Sequence, residues 1–175
     1  VVDGDVVCTG WREGTTYSIE QLRTALNEAL PTGFEVVTLV IEPKVGPSLQ
    51  ESIISCTWRF DIRGGNLELV QRAIVAALGS STVEADRKKK NEILRENIRD
   101  GIYDLRADGT SELGPIVVAE LSAKPRVIRP SELVEVLAPG SELGVARRTH
   151  QWIEREGARC EPLALNNSRT IKDLA

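Results

Sequence analysis

Between Ser52 and Ile62 the chain alternates apolar and polar residues almost without a break. Ile54, Cys56, Trp58, Phe60 and Ile62 fall on one face, and Ser55, Thr57, Arg59 and Asp61 on the other. Successive side chains of a strand point to opposite sides, so a period of two predicts a strand with one buried face. Gly64-Gly65 breaks the pattern. Asn66 is placed to cap a helix, with Glu68 favourable in its first turn. Leu67, Val70, Ile74, Ala77 and Leu78 then recur at helical spacing until Gly79 stops them. A helix that follows a strand this closely folds back onto the strand's apolar face. Trp58, Phe60, Ile54 and Ile62 are therefore expected to pack against Val70 and Ile74.

The same patterns divide the rest of the chain. Val1 to Trp11 reads as the end of a strand. Ser18 and Gln21 have capping-box spacing ahead of a stripe formed by Ile19, Leu22, Ala25, Leu26 and Ala29, which Pro31 ends. Phe34 to Ile41 is rich in Val, Thr and Ile and predicts a strand. Pro43 to Pro47 reads as a linker or turn. After Gly79, Thr82 to Arg87 predicts a strand that runs into Lys88-Lys89-Lys90, and Asn91 to Glu96 reads as a loop or one helical turn. Extended structure resumes around Arg99 to Arg106, and Asp108-Gly109 is a hairpin turn signal. Ile116 to Leu121 predicts a strand. Pro130 opens a helix with Ser131 and Glu132 in its first turn, Leu133, Val136 and Leu137 on its apolar face and Pro139-Gly140 at its end. Val145 to Ile153 predicts the last strand. From Glu156 onward, through Asn166-Asn167-Ser168, there is little periodicity, as in a peripheral segment or one ordered by a partner.

Residues 52 to 153 thus read strand, helix, strand, strand, helix, strand, the order of a ferredoxin-like split βαβ unit. Residues 1 to 42 read strand, helix, strand, the second half of the same unit. The helix starts agree, Ser18-Ile19-Glu20-Gln21-Leu22 against Pro130-Ser131-Glu132-Leu133. The expected fold class is α+β. A partial ferredoxin-like unit (1–46) precedes a complete ferredoxin-like domain (47–155), followed by a peripheral tail (156–175). The chain begins at Val1 and contains no Met, as expected of a piece of a longer protein.

This layout resembles a bacterial family, the radical-SAM-linked domain of unknown function. The resemblance covers residues 3 to 153. It rests on the order and spacing of Ala29-Leu30-Pro31-Thr32-Gly33-Phe34, Pro47-Ser48-Leu49-Gln50, Thr57-Trp58-Arg59-Phe60 and Arg87-Lys88-Lys89-Lys90. It continues through Asn97-Ile98-Arg99, Ile128-Arg129-Pro130-Ser131-Glu132-Leu133 and Arg147-Arg148-Thr149. Members stand beside, or are fused behind, a cobalamin-binding radical SAM protein, often near the ribonuclease E/G gene. The family usually has Asp where this chain has Asn97, and its amino-terminal half, with a Gly-Phe-Asn-Pro-His-Pro-Lys-like segment, is not in this sequence. The resemblance implies a non-catalytic accessory domain that partners a cobalamin-binding radical SAM protein and presents a substrate. It supplies no reaction of this chain's own.

Composition narrows the chemistry. At 175 residues, 41% hydrophobic and 27% charged, the chain can bury a core. A net charge of −4 makes it no obvious binder of nucleic acid or membrane as a whole, and no apolar run approaches the roughly 20 residues of a membrane span. Three scattered cysteines, Cys8, Cys56 and Cys160, suit a reducing compartment rather than a disulfide scaffold. The cytoplasm, or an organelle of bacterial origin, is the expected location. Their spacing excludes the closely spaced triplet that a radical SAM cluster needs, and excludes a zinc knot. No cofactor and no catalytic residue is expected, and Cys56 reads as a small buried apolar residue. His150, the single histidine, lies in a predicted strand with Thr149 and Glu154 nearby, which suits a packing or surface role.

The remaining candidate is basic. Arg87, Lys88, Lys89, Lys90, Arg95, Arg99 and Arg106 stand against Glu92, Glu96, Asp100 and Asp104, a local balance of 7 − 4 = +3. Arg87, Lys88, Lys89, Lys90 and Arg99 are the candidate phosphate- or partner-binding residues. Arg126, Arg129, Arg147 and Arg148 join them if the sheet brings them near. The patch reads as a solvated turn with mixed ion pairs, as a site for RNA or nucleotide phosphate, or as a contact for an acidic protein. Lysines at a sheet edge also discourage unwanted strand pairing. A stand-alone RNA-binding module in RNA maturation is the alternative function, though aromatics for base stacking are sparse.

Overall fold

The structure, a computed structural model, describes residues 18–39, 47–89 and 92–162. The expectations for Val1 to Trp11, for residues 43–46 of the linker, for Lys90 and for Asn166-Asn167-Ser168 lie outside the described residues.

The first helix, α1 (Ile19–Ala29), starts as its sequence predicts. The Ser18 hydroxyl accepts from the Gln21 backbone N–H, and the Gln21 side chain accepts from the Ser18 N–H. None of its residues is buried among the described residues. The predicted strand from Phe34 is not found over residues 34–39. In place of a strand partner, the Asn27 amide takes both polar groups of Val36, accepting from its N–H at 2.6 Å and donating to its carbonyl at 3.3 Å. β-propensity alone does not make a strand; it needs a neighbouring backbone to pair with.

A one-turn helix, α2 (Leu49–Ser52), capped by Ser48 and Glu51, leads into β1 (Ile53–Arg63). Then follow α3 (Leu67–Gly79), β2 (Glu84–Lys89), β3 (Glu92–Asn97), a 3-10 turn over Arg99–Gly101 and β4 (Ile102–Ser111). The chain continues with β5 (Gly114–Ser122), α4 (Pro130–Leu137), β6 (Glu142–Arg155) and β7 (Ala158–Cys160). Among the described residues this makes a mixed α+β structure. Five strands form an antiparallel sheet in the order β4-β5-β1-β6-β7, and β2 and β3 pair separately as a hairpin.

The core lies between this sheet and α3 and α4. Phe60 and Ile62 of β1 meet Val70, Ile74 and Ala77 of α3, Val117, Ala119 and Leu121 of β5, and Leu133, Val134 and Leu137 of α4. Asn66 caps α3 as predicted, its side chain accepting from the Leu69 N–H at 3.1 Å. Pro130 stands at the start of α4. The alternation of β1 holds for Phe60 and Ile62 but needs correcting at both Ile54 and Trp58. Trp58 is only half-buried, at the junction of the main core and a smaller cluster of Ile53, Cys56 and Ile153. Ile54 is the extra residue of a bulge between the pairs Ile53↔Ile153 and Ser55↔Trp152. Its carbonyl accepts from the Ala123 and Lys124 N–H groups just past the end of β5. A bulge shifts the parity of a strand, so Ile53 takes the inward position assigned to Ile54.

Three further differences have local causes. Asn91 to Glu96 reads as a loop or helical turn, but Glu92–Asn97 is strand β3; its side chains are almost all exposed, so no buried face imprints an alternation. Asp108-Gly109 is not the hairpin turn. It is a bulge between Ala107↔Val117 and Thr110↔Pro115, with Gly109 at φ 86°, and the turn falls at Glu112-Leu113. Finally, the tail expected from Glu156 supplies β7, which adds a fifth strand by pairing with β6.

Candidate functional site

The basic stretch folds as the hairpin β2–β3, whose end toward Lys88 and Lys89 pairs them with Ile93 and Glu92. Arg87 is half-buried opposite Leu94. Arg95, Arg99 and Arg106 are held by neighbouring groups. Arg95 crosses the hairpin to Asp86 at 3.0 Å and Glu84 at 3.7 Å. The hydrogen bond and charge of Asp86, then the charge of Glu84, raise its guanidinium above the ordinary value. Arg106 sits on β4 against Asp104.

Arg99 departs from its expected place in the phosphate- or partner-facing surface. Its guanidinium is turned onto backbone carbonyls, Nε to Ser80 at 3.2 Å, Nη2 to Leu78 at 3.1 Å and Nη1 to Ile102 at 3.2 Å. The last carbonyls of a helix have no intrahelical partner, and a cation there also suits the helix dipole. Arg99 therefore closes the end of α3 and ties it to β4.

Of Arg126, Arg129, Arg147 and Arg148, Arg126 reaches the hairpin, lying against Glu96 of β3 while its Nη1 contacts Glu132 of α4 at 3.2 Å. It bridges two carboxylates and holds the hairpin to the helix. Arg129 lies at the start of α4, and Arg147 and Arg148 are on β6, which pairs with β1 and β7.

The sequence does not announce a second surface, the face of the sheet away from α3 and α4. Register builds it in rows. Arg106, Val118, Arg59 and Arg147 stand side by side across β4, β5, β1 and β6. Asp104, Glu120, Thr57 and His150 form the next row. Arg59 Nε donates to Asp108 at 3.0 Å.

Beside these rows an aromatic cluster is fixed by hydrogen bonds. The His150 ring stacks on Trp152 at 5.5 Å and 10°. Trp152 Nε1 donates to the Thr57 hydroxyl at 2.8 Å, and the Arg159 guanidinium lies 4.0 Å from the Trp152 ring centre. Arg159 also meets Glu120, whose other oxygen accepts from the Ser55 hydroxyl at 2.6 Å. Glu120 is buried at 5% exposure, so a charge-assisted partner is what its environment demands. Two strands separate β5 from β7, a span of roughly three strand spacings of about 4.8 Å, so the sheet must curl for the contact to form. Two bulges in β6, between Thr57 and Trp58 and between Phe60 and Ile62, supply that bend.

Chemically, this face can bind. His150 Nδ1 is within 3.0 Å of its neighbour's Thr149 hydroxyl, and Nε2 is 3.8 Å from Glu161. Both carboxylates buried beneath the face are engaged, Glu120 as described and Asp61 by the Ser111 hydroxyl. Among the described residues no group of three His, Cys, Asp or Glu side chains is arranged to hold a metal ion, and no helix is long and apolar enough to cross a membrane.

One family model, described as uncharacterized protein conserved in bacteria (DUF2344), matches residues 9–130. No curated protein and no solved structure matches the chain.

Proposed function

The chain belongs to this family of proteins conserved in bacteria, DUF2344, and from that premise we propose that it is a non-catalytic accessory domain of a cobalamin-binding radical SAM protein system, helping to present a substrate to that partner. The antiparallel order β4-β5-β1-β6 with α3 and α4 on one face supports reading the sheet as a ferredoxin-like split βαβ core into which the hairpin β2–β3 is inserted. In that architecture the helix-free face is the open one.

The observation that carries the reading is the row Arg106–Val118–Arg59–Arg147 on that face. Three guanidiniums in register over four strands, two of them already paired with Asp108 and Asp104, suit a protein surface rich in carboxylates that would exchange with those pairs, and arginine is the cation best fitted to such contacts. In the adjoining row Ser55 holds Glu120 and Thr57 holds Trp152 by hydrogen bonds. The test is gel filtration and calorimetry of the purified chain with a cobalamin-binding radical SAM protein from the same organism. A complex is expected, weakened at least tenfold when Arg59, Arg106 and Arg147 are all replaced by Ala. No complex at micromolar concentrations would remove the reading.

A second reading, RNA binding, is favoured by the hairpin itself. It forms a two-stranded sheet of its own and carries Arg87-Lys88-Lys89 along one strand. If it contacts phosphates, filter-bound RNA falls steeply with salt, and each lysine changed to Ala lowers the slope of log affinity against log salt by about 0.7–0.9. Equal affinity for wild type and the Lys88→Ala, Lys89→Ala, Lys90→Ala triple variant would exclude this reading.

A further inference from the structure

The helix-bearing face of the sheet is not fully covered. α4 has 8 residues, about 12 Å of helix, whereas β6 has 14, about 46 Å of strand. The helix is therefore too short to cover the length of β6. A crevice of about 560 Å³ lies between α2, the two strands and the start of α4. That volume is in the range of small-molecule sites.

Its floor and walls are apolar: Ile53, Cys56 and Trp58 of β1, Leu121 of β5, Ile128 before α4, and Leu143 of β6. Its polar rim is cationic. Arg148 on β6 sits 6.0 Å from the centre of the Trp58 ring, and Arg129 approaches from the start of α4. Gln50, Ser122 and Ser131 are the other polar residues of the lining, and no Asp or Glu lines the crevice among the described residues.

We propose that this crevice binds a small amphiphilic anion, an apolar or aromatic body seated on Trp58 with a carboxylate, phosphate or sulfonate group held by Arg148 and Arg129. The occupant is fixed by complementarity. An apolar body gains by leaving water against Ile53, Leu121, Ile128 and Leu143. Two guanidiniums with no carboxylate beside them in the lining select a negative head group. A cationic or neutral polar ligand would gain neither term. The site lies on the opposite face of the sheet from the arginine row, so occupancy and partner binding are separable.

The probe is 1-anilinonaphthalene-8-sulfonate, an aromatic body with one anionic group, titrated against the full chain by fluorescence. N-phenyl-1-naphthylamine serves as its uncharged counterpart. Saturable binding of one equivalent is expected, with dodecanoate displacing the probe. Ala146→Trp, which fills the crevice from an exposed position on β6, should weaken both probes at least tenfold. Arg148→Gln should weaken the sulfonate at least fivefold and leave the uncharged probe within twofold. If circular dichroism shows Ala146→Trp misfolded, Gln50→Trp on the exposed surface of α2 fills the same space from the other rim. Non-saturable binding, or tight binding that survives the filling substitution, overturns the site. An equal effect of Arg148→Gln on both probes overturns the anionic head group.

Discussion

Gly114 lies directly against the backbone of Ile62. Its φ is 139°, and a Cβ built on it would fall far inside van der Waals contact with the Ile62 carbonyl oxygen. Two strands of the sheet, β5 at its first residue and β1 near its end, touch there without room for a side chain. Gly114→Ala should therefore cost about 3–5 kcal/mol, combining left-handed strain with a steric push between strands. Gly140, at φ 81° with open space around its Cβ position, is the control. Gly140→Ala should cost only about 1–2 kcal/mol. Urea denaturation of both variants checks the difference, and equal midpoints would refute the close contact.

Phe60 and Trp58 are two residues apart on β1 but unequal in burial. Phe60→Ala removes a ring that is 1% exposed and should cost about 3–5 kcal/mol. Trp58→Ala removes one that is half-buried, and about 2 kcal/mol is expected. A larger loss at Trp58 than at Phe60 would place the strand in a different register.

Arg99 acts through geometry as much as charge. Arg99→Ala frees the carbonyls of Leu78, Ser80 and Ile102 together, for about 2–3 kcal/mol. Arg99→Lys should recover less than half of this, because an ammonium cannot span the same fork. Thermal denaturation reads the loss. Hydrogen exchange should show faster opening at the end of α3. Full rescue by lysine would argue against the three-carbonyl clamp.

Glu51 closes the capping box at the start of α2. The Ser48 backbone N–H, then the Ser48 hydroxyl, and finally the charge of Lys124 hold its pKa below the ordinary glutamate value against a small desolvation effect. A depressed pKa in the folded state means the ionised form is the one that folding favours. Its contribution is present above the unfolded pKa and lost as pH falls through the folded pKa. Ser48→Ala should move the Glu51 inflection upward in an NMR titration and shorten the life of α2. An unmoved inflection would show the capping box does not form in solution.

What could be read in advance was what one segment decides alone. β1, α3, β5 and α4 carry their own periodicity, and Asn66, Ser18 and Pro130 their own caps. The extra residue at Ile54 was not readable, because parity along β1 depends on where β6 pairs with it. Gly109 reads equally well as a turn or a bulge, since both need the same positive φ, and only the position of β5 decides. The clustering of Ser55, Thr57, Glu120, Trp152 and Arg159 joins residues on four strands and follows from register and curl. Trp152 was the available signal. A tryptophan on a polar strand face requires a partner for its N–H, and Thr57 is that partner.

The bulge at Asp108-Gly109 has a consequence for many copies of the chain. β4 is the outermost strand at one end of the sheet, and β7, three residues long, is at the other. A straight ten-residue border would offer an unpaired backbone on which a second molecule could template itself, then a third. The bulge twists that border out of line, and Arg106, Asp104 and Asp108 place charge along it. With that border crooked and charged, a second copy finds no straight strand edge along β4 on which to begin a ribbon-like polymer.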